Sequence, residues 1–147
     1  MSAWFGIPDI YWEGKKSHRA GRSVFSVEVG FLPGLIIEDM HFWLLLVQLP
    51  KPDKNIELVW LKYTGLLLAA NNANYYGVLQ RDNTWWLVRR YTASQSMEIL
   101  QRSTSEHIAI ATVIGRRVQR QLIQSGIRGD AEISDKPLFH TTINGWV

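Results

Sequence analysis

The four histidines are the side chains best suited to acid–base chemistry or metal binding, and they are widely separated in the chain. They are His18, His41, His107 and His140. Only His107 has an acidic neighbour, Glu106, and adjacent residues on a helix point about 100° apart, so the pair cannot chelate one ion. Glu38 and Asp39 are also adjacent, on a predicted strand that turns them to opposite faces. The spacing predicts neither a metal site nor a catalytic carboxylate pair.

Other catalytic signatures are missing from the sequence as well. The chain contains no Gly-rich phosphate-binding loop and no serine flanked by glycines in the manner of a nucleophile. It contains no cysteine, which excludes disulfides and thiolate chemistry. We therefore expect no enzymatic activity, no metal and no cofactor.

The basic residues do not predict a nucleic-acid surface. The formal net charge is only +3, and the cations are scattered. Arg116, Arg117 and Arg120 alternate with the core-spaced Ile114 and Val118, without aromatic residues on which bases could stack. We interpret them as a solvated helix face and expect no nucleic-acid partner.

The sequence also argues against membrane insertion and secretion. The longest apolar stretch is interrupted by Lys62, Tyr63 and Thr64, which makes it too polar to cross a bilayer. The first residues lack the basic head, apolar segment and small-residue cleavage site of a secretory signal. We expect no membrane contact and a cytoplasmic location.

The elements that position these residues predict one α+β domain. Five strands are expected from apolar alternation or short apolar runs, at 22–30, 35–39, 41–49, 75–81 and 85–92. Two long helices are expected at 56–72 and about 97–124, the second capped by Ser96. The predicted fold is a twisted, mostly antiparallel sheet of about five strands packed with two long helices. Residues 1–22 are expected to form an irregular arm, 23–125 the domain, and 126–147 a tail.

The adjacent tryptophans in "NTWWLVRRYT" are unusual because a strand sends neighbouring side chains to opposite faces. If the helices cover the face of Trp85, then Trp86, Val88 and Arg90 form an exposed apolar patch that ends in a cation. Such patches usually mark an interaction surface. We expect Tyr76 and Val78 on the preceding strand to extend it. The alternative is that the N-terminal arm or the tail covers Trp86.

The predicted helix at 56–72 is apolar nearly all round, so that it needs a second cover besides the sheet. Trp60 is an aromatic residue of the kind that anchors protein interfaces. We therefore predict a two-fold homodimer whose interface includes Val59, Trp60, Tyr63 and Leu67. The alternative is a helix enclosed between the sheet and the last helix.

The order of elements resembles that of the Tir chaperone family, the class I chaperones of bacterial type III secretion. The resemblance rests on three strands, a helix ending in "GLLLAANN", the hairpin at 75–91 and a final amphipathic helix from Met97. It covers roughly residues 23–125. The family usually begins with an amphipathic helix, whereas residues 1–20 here contain two glycines and a proline.

The resemblance implies a homodimer in the bacterial cytoplasm that binds an extended segment of a secreted effector protein and keeps it competent for export. The implied effector-binding residues are those of the exposed patch. Two alternatives stay open. One is a small-ligand or enzymatic domain with an aromatic pocket lined by Trp43, Trp85 and Tyr91; the other is an adaptor that regulates transcription of secretion genes.

Overall fold

The structure, a computed structural model, describes residues 3–70, 73, 75–118 and 120, without the side chains of residues 15, 16, 117 and 118. Its described strands form a 6-stranded antiparallel sheet in the order β1-β2-β3-β4-β6-β5. The strands are β1 (Ile10–Arg19), β2 (Arg22–Val29), β3 (Leu32–Glu38), β4 (Phe42–Gln48), β5 (Tyr76–Arg81) and β6 (Thr84–Thr92). The predicted α+β class and antiparallel sheet are confirmed, with six strands in place of about five.

Two α-helices accompany this sheet, one between its fourth and fifth strands in the chain and one after its last strand. Helix α1 (Glu57–Ala70) connects β4 to β5, and helix α2 (Met97–Val113) follows β6 and continues into a π-helical turn at Ile114–Val118. The Ser96 side chain accepts a hydrogen bond from the Ile99 amide at 3.3 Å, so that the predicted cap of α2 is confirmed. The predicted end of this helix, the tail at 126–147 and residues 71 and 72 lie outside the described residues.

The sheet has an inner face, which both helices cover, and an outer face. On β6, Trp85, Leu87 and Tyr91 point inward and are buried, while Trp86 and Val88 point outward and are half-buried. The inner face continues through Phe25, Ile36 and Leu45 on the neighbouring strands, and their side chains form the core together with Trp60, Leu67 and Leu100 of the helices. Burying this one apolar face under two helices is what makes the chain a layered α+β domain.

The N-terminal segment is part of the sheet, which corrects the prediction of an irregular arm over residues 1–22. After a short 3₁₀ helix at Ala3–Gly6, strand β1 pairs antiparallel with β2, from Ile10 opposite Val29 to Arg19 opposite Arg22. The pairing is irregular between Trp12 and Lys16, around Gly14 at φ 75°. A bulge of this kind breaks the two-residue alternation by which strands are identified in a sequence.

Within the described residues, no helix combines the length and the apolar character needed to cross a membrane.

Candidate partner-binding surface

Strand β5 is the outermost described strand at one end of the sheet, and β6 is the only described strand with which it pairs. Its connection to β6 is the two-residue turn Asp82 and Asn83, whose φ values of 52° and 61° are those of a type I′ hairpin. In such a hairpin the residues that flank the turn, Arg81 and Thr84, form a hydrogen-bonded pair. The backbone groups of every second residue, including Val78 and Gln80, therefore point away from the sheet.

An apolar groove borders β5 on the inner side of the sheet. Its volume is about 470 Å³, and its lining comes from α1, β5 and the connection between them: Leu61, Gly65, Leu68, Ala69, Ala73, Tyr76, Gly77 and Val78. Gly65 and Ala69 are exposed on α1, and apart from the backbone of the helix itself and the two adjoining residues, no described heavy atom lies within 4 Å of where a Cβ on Gly65 would be. The small residues on the helix thus leave room for side chains beside the strand.

A second groove borders the same strand on the outer side. Its volume is about 400 Å³, and its lining includes Tyr75, Gly77, Leu79, Val88 and Arg90. Leu79 lies directly opposite Trp86, and Gly77 opposite Val88. The predicted outer patch of Trp86, Val88 and Arg90 therefore continues across the hairpin to the exposed Leu79.

A cation lies at the end of this outer patch. Arg90 is exposed, and its guanidinium carbon lies 4.7 Å from the centre of the Phe42 ring on the neighbouring strand. Arg22 approaches the same ring at 5.3 Å. Arg22 is already paired with Asp39, Nε to Oδ2 at 3.1 Å, so Arg90 is the cation that the outer patch offers to an acidic partner.

The structure corrects the assignment of Tyr76 and Val78 to the outer patch. Tyr76 pairs with Arg89 and Val78 with Leu87, which places both side chains on the inner face with Trp85. Tyr76 is buried and its hydroxyl donates to the Ser103 carbonyl oxygen of α2 at 3.5 Å. Tyr76 and Val78 both border the inner groove and also the outer one, across the edge of β5. Leu79, which the sequence reasoning missed, has its side chain on the outer face.

The predicted interface residues of α1 are mostly core residues. Trp60 has 0% exposure, and Tyr63 and Leu67 are also buried; Val59 is half-buried. The Trp60 ring lies 5.5 Å from that of Trp85, so the inner face of the chain's own sheet already covers it. That assignment is therefore corrected: the exposed leucines of this helix are Leu58 and Leu66, at 82% and 44% exposure.

The Trp85 indole is also held by a hydrogen bond that the sequence did not indicate. Its Nε1 donates to Glu57 Oε1 at 2.8 Å, and Gln80 Nε2 donates to the same oxygen at 3.3 Å. Glu57 lies in the first turn of α1, where a carboxylate suits the helix dipole. One carboxylate thus links the start of α1 to both strands of the hairpin.

A buried polar cluster lies where the hairpin meets α2. The Tyr91 hydroxyl donates to Ser103 Oγ at 3.0 Å, and Arg89 Nη1 donates to the Tyr76 hydroxyl at 3.2 Å. His107 is fully buried, with Nε2 at 2.7 Å from the Leu87 carbonyl oxygen, to which it donates. Burial raises the pKa of the Tyr76 and Tyr91 hydroxyls and lowers the pKa of His107 to about 4. The histidine is therefore neutral near pH 7, and the cluster joins the hairpin to the helix.

The aromatic pocket of the alternative hypothesis is filled by the chain itself. The Trp4 ring lies 6.1 Å from that of Trp43 and 5.3 Å from that of Tyr91, both in edge-on geometry. The Trp85 ring packs against that of Trp60. Trp85 and Tyr91 belong to the one hydrophobic core and Trp43 packs against it, so the predicted pocket is occupied by core side chains, which corrects that assignment.

Among the residues that the structure describes, no group of three or more His, Asp or Glu side chains is placed to hold a metal ion. Comparisons with known proteins give no assignment: no protein-family model matches the chain, and no curated protein or solved structure matches it significantly.

Proposed function

We propose that this protein is a chaperone of the type III secretion kind, which binds an extended segment of a secreted effector protein in the bacterial cytoplasm and keeps it competent for export. The proposal begins from the resemblance of the element order to the Tir chaperone family. The single observation that carries it is strand β5, an edge strand with an apolar groove on each of its two faces.

An extended segment fits this edge for a geometric reason. Added beside β5, it would pair with the outward backbone groups of Val78 and Gln80. Because its side chains alternate, one set would enter the inner groove against Gly65 and Ala69, and the other would enter the outer groove beside Leu79 and Val88. Arg90 would favour an acidic residue at one end of the segment.

This mode of binding suits a cargo that has to stay unfolded. Backbone pairing accepts many sequences, and the two grooves select for apolar residues at alternate positions. The cost of ordering a flexible segment limits the net affinity, so that release needs no large rearrangement. Pairing with β5 also occupies backbone amides and carbonyls of the segment, which could otherwise pair with another chain and cause aggregation.

Homodimerisation is part of the proposal, through the exposed side of α1. Leu58 and Leu66 lie on that side together with Gly65 and Ala69. A two-fold pair of these helices in contact through the two leucines would cover both of them in each copy and leave the groove beside Gly65 and Ala69 open. Residues Trp60, Tyr63 and Leu67 would support this interface from within the core.

The decisive experiment blocks the edge of β5. Gln80→Pro removes one outward amide and leaves the ladder with β6 intact, which edge strands tolerate. Gln80→Ala is the matched control, since both variants lose the hydrogen bond to Glu57. In the native bacterium, the tagged wild type and Gln80→Ala should co-purify with the same exported protein, and Gln80→Pro should recover at least about tenfold less of it.

Trp86→Ala and Val88→Asp test the outer patch in the same assay and should also reduce recovery. Deleting the gene should lower the export of the recovered protein. The proposal is wrong if no exported protein co-purifies, or if a folded Gln80→Pro variant recovers the partner as well as the wild type does.

A further inference from the structure

A third groove lies at the opposite end of the sheet, far from β5 in strand order. Its volume is about 340 Å³, and its lining comes from the start of β1 and the β2–β3 hairpin: Pro8, Asp9, Tyr11, Glu28, Gly30 and Phe31. Tyr11 and Glu28 are directly paired across β1 and β2. This surface shares no lining residue with the grooves at β5.

Phe31, at the tip of the hairpin, is costly for the fold in two ways. It is 92% exposed, and its φ of 71° lies in the left-handed region, which a bulky side chain rarely adopts. Asparagine or glycine would fit such a turn with less strain and no apolar exposure. Packing within the described residues does not offset the apolar exposure or the backbone strain of Phe31. A residue of this kind is typical of a surface that binds a partner.

The groove is held in shape by contacts on both sides of the turn. The Gly30 amide donates to the Asp9 carbonyl oxygen at 3.0 Å, which fixes the segment before β1 against the hairpin. A Cβ on Gly30 would lie 2.8 Å from Ile108 Cδ1 of α2, so the turn packs closely on the helix. The aromatic residues are therefore presented on a rigid base, which lowers the cost of ordering them on binding.

The charge of the groove is opposite to that of the chain as a whole. Asp9 and Glu28 are among its lining residues, and neither has an ion-pair partner among the side chains that the structure describes. The whole chain has a formal net charge of +3. A cationic ligand fits this local charge, whereas the phosphates of nucleic acid or an anionic lipid surface would be repelled.

We propose that this groove binds a lysine or arginine side chain from a basic segment of a partner protein. The aliphatic stem would lie along Phe31 and Tyr11, whose ring faces attract the cation. The charged head would reach the carboxylates of Asp9 and Glu28. Because the groove and β5 are at opposite ends of the sheet, this interaction is compatible with an extended segment at β5 and does not depend on the proposed function.

The test is an NMR titration of the full chain with two short peptides. Acetyl-Leu-Arg-Leu-amide supplies the cation, and acetyl-Leu-citrulline-Leu-amide has nearly the same shape without the charge. We expect the arginine peptide to shift the amide signals of Asp9, Tyr11, Glu28 and Phe31, and the citrulline peptide to bind at least about threefold more weakly. Added salt should reduce this difference.

Two variants sharpen the result. Glu28→Gln should weaken arginine-peptide binding about two- to fivefold. Phe31→Asn should weaken it at least about as much and should raise the unfolding temperature, because asparagine accepts a positive φ. The proposal is overturned if the two peptides bind equally well, if the arginine peptide shifts amide signals elsewhere in the chain, or if Glu28→Gln leaves its affinity unchanged. It is also overturned if the groove signals shift with protein concentration in the absence of peptide, because the groove would then bind a second copy of the chain.

Discussion

At the scale of single residues, His107 couples the stability of the fold to pH. Its folded pKa of about 4 lies below the ordinary value of 6.5 because burial opposes the imidazolium. Between these values the unfolded chain binds more protons at this residue than the folded chain does. The stabilising contribution is therefore complete above pH 6.5 and is lost as the pH falls towards 4, by at most about 3 kcal/mol.

The matched variant is His107→Gln, which does not titrate and whose amide can still donate to the Leu87 carbonyl oxygen. Urea unfolding from pH 7.5 to pH 4 should show a shallower loss of unfolding free energy for the variant than for the wild type. Parallel pH profiles of the two proteins would contradict the assignment of this loss to His107.

The tryptophan pair shows which side-chain orientations the sequence could predict and which it could not. The sequence predicted that Trp85 and Trp86 point to opposite faces, and the structure confirms it, since strand alternation depends only on the backbone. Tyr76 and Val78 were misplaced because that prediction treated residues 82–84 as the turn. Thr84 belongs to β6, and a turn shorter by one residue shifts the register and exchanges the faces of β5.

At the scale of elements, the 3₁₀ turn at Ala3–Gly6 is part of the core through Trp4. This side chain has 0% exposure and lies between Trp43 and Tyr91. Trp4→Ala should reduce the free energy of unfolding by about 3–5 kcal/mol, the usual cost of truncating a buried tryptophan. Chemical denaturation measures it.

The control is Phe5→Ala on the same turn, where the side chain is about half exposed. This variant should cost less than half as much. Equal losses for the two variants would mean that the segment is not anchored through Trp4. The sequence could not indicate this anchor, because a single tryptophan in a segment without periodicity gives no signal of what it contacts.

At the scale of the whole molecule, the exposed side of α1 governs self-association in the proposed dimer. Leu66→Glu places a charge at an exposed leucine of the proposed interface and should raise the dimer dissociation constant by about tenfold or more. Sedimentation velocity over a range of concentrations measures the change. Met40→Glu is the control, because Met40 is exposed in the loop between β3 and β4.

A wild-type chain that stays monomeric at high concentration would contradict this dimer. The sequence predicted a helix with more apolar surface than the sheet can cover, and Leu58 and Leu66 bear this out as exposed residues. It could not tell which apolar residues remain outside, since a helix that is apolar all round has no polar face from which to orient it.

The order of the strands also governs how fast the chain can fold. Strands β1 to β4 are joined by short turns and pair with their sequence neighbours, whereas β4 pairs with β6 across a loop that contains α1 and β5. Closing that loop costs entropy before its contacts form. We expect substitutions at the β4–β6 seam, such as Leu45→Ala, to slow refolding, and substitutions in the β1–β2 hairpin to act mainly on unfolding.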